Sequence, residues 1–252
     1  MCRGSLDDNP KFAPAMKLKA MLLEEDGRTA EAALTYEEAL KLDPNDPDLL
    51  LKVGIYKLSV GNKDESIKLL QRCVRILPGD GDAQYYLAQA YHLNGQNDLA
   101  LRAIRLSLKA EPDNASVWQK YGQLLCGTGD CEGGLRWLLK AQHADATLPR
   151  IDYDIAAADL RSMDFAGAEQ FATRVLEAHP NDIEALQLLA AADAKLAKWQ
   201  QAGSAYEHAL ALQRDNVDSL LGLGQCELEL KNYQAAVDTL QAVLRLDPTR
   251  LP

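Results

Sequence analysis

The sequence predicts an all-α chain, an α-solenoid of seven antiparallel helix-turn-helix repeats. Three observations carry that reading. Prolines that close helical runs stand at Pro44, Pro78 and Pro112, 34 residues apart, and return at Pro180 and Pro248, each two such steps further on. Tiny residues recur twice in every period. Hydrophobic residues make up 47% of the 252 and aromatics only 6%, so the apolar content is mostly Ala and Leu, which lose little entropy in a helix. A fixed internal period of this size marks a stacked-repeat architecture.

Counted from Ala13, successive periods begin at Pro47, Gly81, Ala115, Pro149, Ile183 and Val217, with no insertion or deletion through Arg250. Residues 1–12 form an N-terminal extension and 13–250 one repeat domain. The register survives where the closing proline is replaced, at Ala146 and Arg214. In the first helix, position 8 is always tiny: Ala20, Gly54, Ala88, Gly122, Ala156, Ala190 and Gly224. Gly27, Gly61, Gly95 and Gly129 then stop that helix at position 15, where a residue tolerant of positive φ is favoured. In the second helix, position 20 is tiny again: Ala32, Ser66, Ala100, Gly134, Ala168, Ala202 and Ala236. Two antiparallel helices approach closely only where small side chains face each other, so positions 8 and 20 mark their crossing. Position 24 is larger in most repeats (Tyr36, Leu70, Ile104, Leu138, Ala172, Tyr206, Leu240) and fills the space beside it. Position 27, from Ala39 to Val243, is expected to face the following hairpin. Proline at position 32 ends the second helix because it has no N–H to donate. Each helix then spans about 14 residues, roughly 21 Å.

These residue choices resemble the tetratricopeptide repeat family, whose pattern asks for bulk at position 4, Leu at 7, small residues at 8, 20 and 27, an aromatic or apolar residue at 11, bulk at 24 and Pro at 32. The stretches AEAALTYEEALKLDP (Ala30 to Pro44) and AYHLNGQNDLALRAI (Ala90 to Ile104) show it well, and the resemblance covers residues 13–250. It implies a right-handed superhelix whose first helices line a concave groove. Positions 2, 5, 6, 9, 12 and 13 would point there. In repeats three to five these give Tyr85, Tyr86, Gln89, His92, Gln119, Lys120, Gln123, Arg150, Tyr153 and Arg161. Tyrosines supply contact area at low entropic cost and Gln can pair with a peptide backbone, so the set suits an extended peptide. The carboxylate clamp of co-chaperone members is not matched: Lys17 and Lys52 are in place, but Met21 stands where Asn is wanted, and Asp82 and Tyr86 where Lys and Arg are.

Some features depart from the pattern. Repeat four contains Gly127, Gly129, Gly133 and Gly134 and lacks its proline; it reads either as drift or as a softer joint between two arms. Gly133 and Gly134 each weaken the start of its second helix by roughly 0.5–1 kcal/mol relative to Ala. Position 17 is aromatic only in the last three repeats, at Phe165, Trp199 and Tyr233. The last helix offers Tyr233, Val237, Leu240, Val243 and Leu244 with no helix after it, whereas solenoid ends normally carry a polar face. Either the chain is an excerpt that stops at Leu251 and Pro252 where an eighth repeat would begin, or this end pairs with another chain.

Charge and chemistry exclude several functions. The net charge is −10, without the basic footprint of a nucleic-acid binder. Residues 147–252 alone carry 9 basic and 16 acidic side chains, net −7, which favours solubility or a basic partner steered to that half. Cys2, Cys73, Cys126, Cys131 and Cys226 are odd in number and widely spaced, unlike a disulfide framework, and point to a reducing compartment, the cytoplasm. No run of about 18 apolar residues could insert in a membrane. MCRGSLDDNPKF at the start has no apolar signal core. His92, His143, His179 and His208 fall at unrelated positions, Cys126 and Cys131 form a lone C-x4-C pair, and no nucleotide-binding glycine motif occurs, so neither metal, cofactor nor catalysis is expected. GTGDCEGG (Gly127 to Gly134) replaces a turn between helices and follows no strand. The expectation is a non-enzymatic scaffold that gathers a protein or peptide partner in its groove. Two alternatives stand beside it: an arm presenting substrates within a larger enzyme, and a bacterial envelope or pilus assembly factor, suggested by KYGQLLC (Lys120 to Cys126).

Overall fold

The computed structural model describes residues 12–246. Most of the anticipated N-terminal extension, the closing Pro248, and Leu251 and Pro252 lie outside the described residues. Fourteen helices and no strand are found among those described, and 80% of the described residues are helical. It divides into two compact units between Leu124 and Leu125. The first unit holds α1 (Ala13–Glu25), α2 (Thr29–Leu42), α3 (Pro47–Ser59), α4 (Lys63–Ile76), α5 (Gly81–Leu93), α6 (Asn97–Ala110) and most of α7 (Ala115–Gly127). The second holds the end of α7, then α8 (Cys131–Ala144), α9 (Ile151–Arg161), α10 (Phe165–Ala178), α11 (Ile183–Lys195), α12 (Trp199–Leu212), α13 (Val217–Glu229) and α14 (Tyr233–Leu246). Within the units the helices pair as the period requires, α1 with α2, α3 with α4 and α5 with α6 in the first, and α9 with α10, α11 with α12 and α13 with α14 in the second. The architecture is a helical solenoid.

The crossing of each of these six pairs is where the two tiny positions place it. Ala20, Ala88, Ala156 and Ala190 at position 8, and Ala100, Ala168, Ala202 and Ala236 at position 20, are almost wholly buried. In repeat two the contact is direct, since Ser66 Oγ donates to the Gly54 carbonyl at 2.7 Å. Bulk at position 24 fills the gap that position 8 leaves. A Cβ added to Gly54 would lie 2.9 Å from Leu70, and one on Gly224 2.9 Å from Leu240. In the first unit these layers join into apolar clusters around Leu49, Leu50 and Val53, and around Leu70, Leu87 and Ile104.

Helix starts are fixed by a second recurring signal, an Asp or Asn just before the first turn. Asp46, Asp80, Asn114, Asp182 and Asn216 stand at the last position of their repeats and accept backbone N–H bonds from the helix that follows. Asn62, Asp130 and Asp164 do the same for second helices. Each such cap contributes about 1 kcal/mol by satisfying an amide with no partner inside the helix.

The structure corrects four details. Repeat five does not begin its helix at Pro149: Arg150 takes a left-handed conformation, φ 61°, and α9 starts at Ile151 with only 11 residues. Position 15 keeps positive φ without glycine in the last three repeats, at Met163 (66°), Ala197 (58°) and Lys231 (63°). The end helix is less bare than its pattern suggested. Val243 is fully buried and Leu240 packs over Gly224, so position 24 is satisfied inside its own hairpin; Tyr233, Val237, Leu244 and Leu246 remain exposed. Finally, position 11 is not always apolar. In the second unit it holds Asp159, Asp193 and Glu227. Asp159 and Asp193 are 3% and 4% exposed, and Asp193 Oδ1 and Glu227 Oε2 are buried without a hydrogen-bond partner.

Candidate functional site

In the first unit, α5 presents Tyr85, Tyr86, Gln89 and His92 along one helix. The tyrosine rings meet edge to face, 5.3 Å between centroids at 83°, the favoured geometry for two aromatic quadrupoles. Both are half-buried. Burial pushes the Tyr85 hydroxyl up, a hydrogen bond with Gln89 pulls it down and Tyr86 adds to the rise. His92 Nδ1 lies 2.9 Å from Asn97 Oδ1. On α7, Lys120 Nζ donates to Gln123 Oε1 at 2.7 Å. Gln119 is buried, 9% exposed, and offers a partner less than its position suggested.

In the second unit, Arg150 and Tyr153 stand together. The guanidinium lies 4.0 Å from the centre of the Tyr153 ring, a cation–π contact, and is ion-paired with Glu184. Burial pushes the Tyr153 hydroxyl up, helped by Glu184. Arg161 lies apart from this pair, exposed at the C-terminus of α9. The sequence positions thus form three groups: Tyr85–Tyr86–Gln89, Lys120–Gln123 and Arg150–Tyr153.

Sequence reasoning missed a recess in repeats one to three. It holds about 260 Å³ and is lined by Tyr36, Lys52, Ile55, Tyr56, Ser59 and Tyr86, with Ala32 and Ala33 at its floor. The signal was present: Lys52, Ile55 and Ser59 occupy positions 6, 9 and 13, read one repeat too late. Its rim is ionic. Lys52 Nζ pairs with Glu24 Oε2 at 2.8 Å, and Tyr36 donates its hydroxyl to the same carboxylate at 3.0 Å. Lys52 and then Tyr36 hold the Glu24 carboxyl below its ordinary range against the effect of burial. Burial first, and the Glu24 bond second, push the Tyr36 hydroxyl well above its ordinary range. Lys17 is likewise paired, with Asp46 at 3.0 Å and with Asp48. The two lysines a carboxylate clamp would use are therefore both neutralised within the unit.

Among the described residues no group of three or more His, Cys, Asp or Glu side chains could hold a metal ion, and no helix is long and apolar enough to cross a membrane. Cys73, Cys126, Cys131 and Cys226 are free thiols.

A gapless series of helical hairpins with tiny residues at each crossing defines a helical-repeat protein. Family models confirm which kind. One described as tetratricopeptide repeat matches residues 3–47 and 188–250, and a second of the same description matches residues 57–124. The chain belongs to the tetratricopeptide repeat family. It is 22% identical over 235 residues to the BBSome complex member bbs-4 of Caenorhabditis elegans, covering 93% of this chain and 50% of that one. It is 24% identical over 245 residues to the peroxisomal targeting signal receptor of Kluyveromyces lactis, covering 92% of this chain and 41% of that one. The chain thus spans half or less of the length of these curated relatives. Among solved structures, Pseudomonas aeruginosa pilF shares its fold with a TM-score of 0.69 at 22% identity, over 81% of this chain and 92% of that one.

Proposed function

We propose that the chain is a scaffold that binds an extended segment of a partner protein along its first helices and acts by binding, without catalysis. The carrying observation is the continuity in the first unit between the Tyr85–Tyr86 pair and the recess floored by Ala32 and Ala33, with Tyr86 belonging to both. Rigid aromatics beside a small apolar recess with an ionic rim hold a side chain, while neighbouring amides such as Gln89 pair with an extended backbone. Membership of the family supports a protein ligand, and the printed names of the relatives, a complex member and a targeting signal receptor, support the same class. Four free thiols support a reducing compartment, the cytoplasm. The residues 13–250 act in this reading as one repeat domain.

The test is cross-linked capture from lysate of the source cell. The native chain is compared with Tyr86→Ala, Gln89→Ala, Gln123→Ala, a triple variant checked for equal helicity. A partner lost only with the variant supports the reading. Equal recovery with both overturns it and moves the interface to another face.

A further inference from the structure

The two cysteines of repeat four face each other across the turn between α7 and α8. Cys126 stands at position 12, at the end of α7, and Cys131 at position 17, the first residue of α8. The Cys126 thiol reaches the Cys131 carbonyl at 3.7 Å, and the Cys131 thiol reaches the Cys126 carbonyl at 3.6 Å. Such mutual reach puts each Cβ toward the other residue. The same two positions in repeat three, His92 and Asn97, touch through their side chains at 2.9 Å. The repeat geometry itself therefore brings positions 12 and 17 together, and only repeat four fills both with cysteine. Burial, then the neighbouring Cys131, push the Cys126 thiol up to about 12. Cys131 is the more exposed of the two. The remaining described cysteines, Cys73 and Cys226, are buried elsewhere.

We propose that Cys126 and Cys131 are a reversible dithiol–disulfide site that staples the hairpin of repeat four when a small-molecule disulfide is the oxidant. The half-buried Cys131, the more accessible of the two, attacks as thiolate one sulfur of that disulfide and expels one thiolate, giving a mixed disulfide. Cys126 then loses its proton and attacks the Cys131 sulfur, and the second small-molecule thiol leaves. The protein gives up two electrons and two protons, and the small disulfide becomes two thiols. Burial raises the Cys126 thiol, so the exchange begins at Cys131. The bridge closes the turn ahead of Gly133 and Gly134, where α8 is weakest.

The test uses the full chain with Cys2→Ser, so that the cysteine outside the described residues cannot pair. It is equilibrated with reduced and oxidised glutathione, quenched with an alkylating agent and read by intact mass and peptide mapping. The expected product is an unalkylated pair that has lost about 2 Da, mapped to Cys126–Cys131, with Cys73 and Cys226 alkylated after denaturation. The bridge should also slow amide exchange over residues 131–134 and reverse on adding dithiothreitol. With Cys126→Ser as well, Cys131 should instead accumulate as a stable mixed disulfide with glutathione. A lasting mixed disulfide on Cys131 while Cys126 is intact, or Cys131 bridged to Cys73 or Cys226, overturns the proposal.

Discussion

Replacing Asp159 by Asn should stabilise the second unit at neutral pH and abolish much of its response to acid. Asp159 lies on α9 at 3% exposure. Its carboxylate packs on the backbone of α10: a Cβ on Gly167 would stand 2.7 Å from Asp159 Oδ2 and 2.9 Å from the Asp164 carboxylate. Burial, and then Asp164, push its pKa from 3.8 to about 6. One pKa unit is worth about 1.4 kcal/mol, so keeping this carboxylate ionised costs the folded state about 3 kcal/mol at pH 7.5. The folded pKa exceeds the unfolded one, so the folded state binds more protons between them, and stability falls as pH rises through that interval. Acidifying from pH 7.5 to 5.0 should return about 1.4 kcal/mol through this group alone. Asp193, in the same unit, is shifted the same way by burial and by Glu169 and adds to the trend, while Asp82 responds alike in the first unit. Glu24, held low first by Lys52, loses its contribution only at more acid pH. The assay is urea unfolding between pH 5.0 and 7.5, followed by far-UV circular dichroism. The native chain should gain stability on acidification, while Asp159→Asn starts higher at pH 7.5 and rises less. Asp164→Asn, which keeps the cap on Gly167, should shift the transition to lower pH than in the native chain. Parallel profiles for the native chain and Asp159→Asn would refute the argument.

Two more substitutions isolate single terms. Ala197→Gly relieves an exposed residue held at φ 58° and should raise the urea midpoint at unchanged slope, a gain of roughly 0.5–1 kcal/mol. Ser107→Ala removes a buried hydroxyl with no partner and restores the Ala found at the same position in Ala39, Ala141 and Ala209; thermal or urea unfolding should show about 1–2 kcal/mol of stabilisation, and a loss instead would show that Ser107 is satisfied.

The sequence period revealed the crossings because close packing admits nothing larger: Ala20 or Ala88 could be read as buried from residue type and register alone. The prolines and glycines placed most helix ends for the same reason, since backbone conformation depends on local chemistry. Where tertiary packing overrides that chemistry the reading stopped short. Met163, Ala197 and Lys231 carry no sign of a left-handed turn, and Arg150 none of a delayed helix start. Asp159, Asp193 and Glu227 look like ordinary solvent-facing acids until their burial is known. The side chains on α5 were legible from their shared face, but the recess beside them was not, because Ala32, Ala33 and Tyr36 come from another helix of another repeat.

The unbroken step of 34 residues also decides which changes to the coding sequence this chain can absorb. One codon added inside α5 would rotate everything after it in that helix by about 100°, carrying Ala88 off its crossing and replacing it there with a residue chosen for another face. Thirty-four codons copied in tandem from the first unit would bring their own Asp cap, glycine turn and small crossing residues, and would meet at each junction the same chemistry they left. Growth and loss by whole hairpins is thus the cheap route for its gene, and single-codon slippage within a helix the costly one.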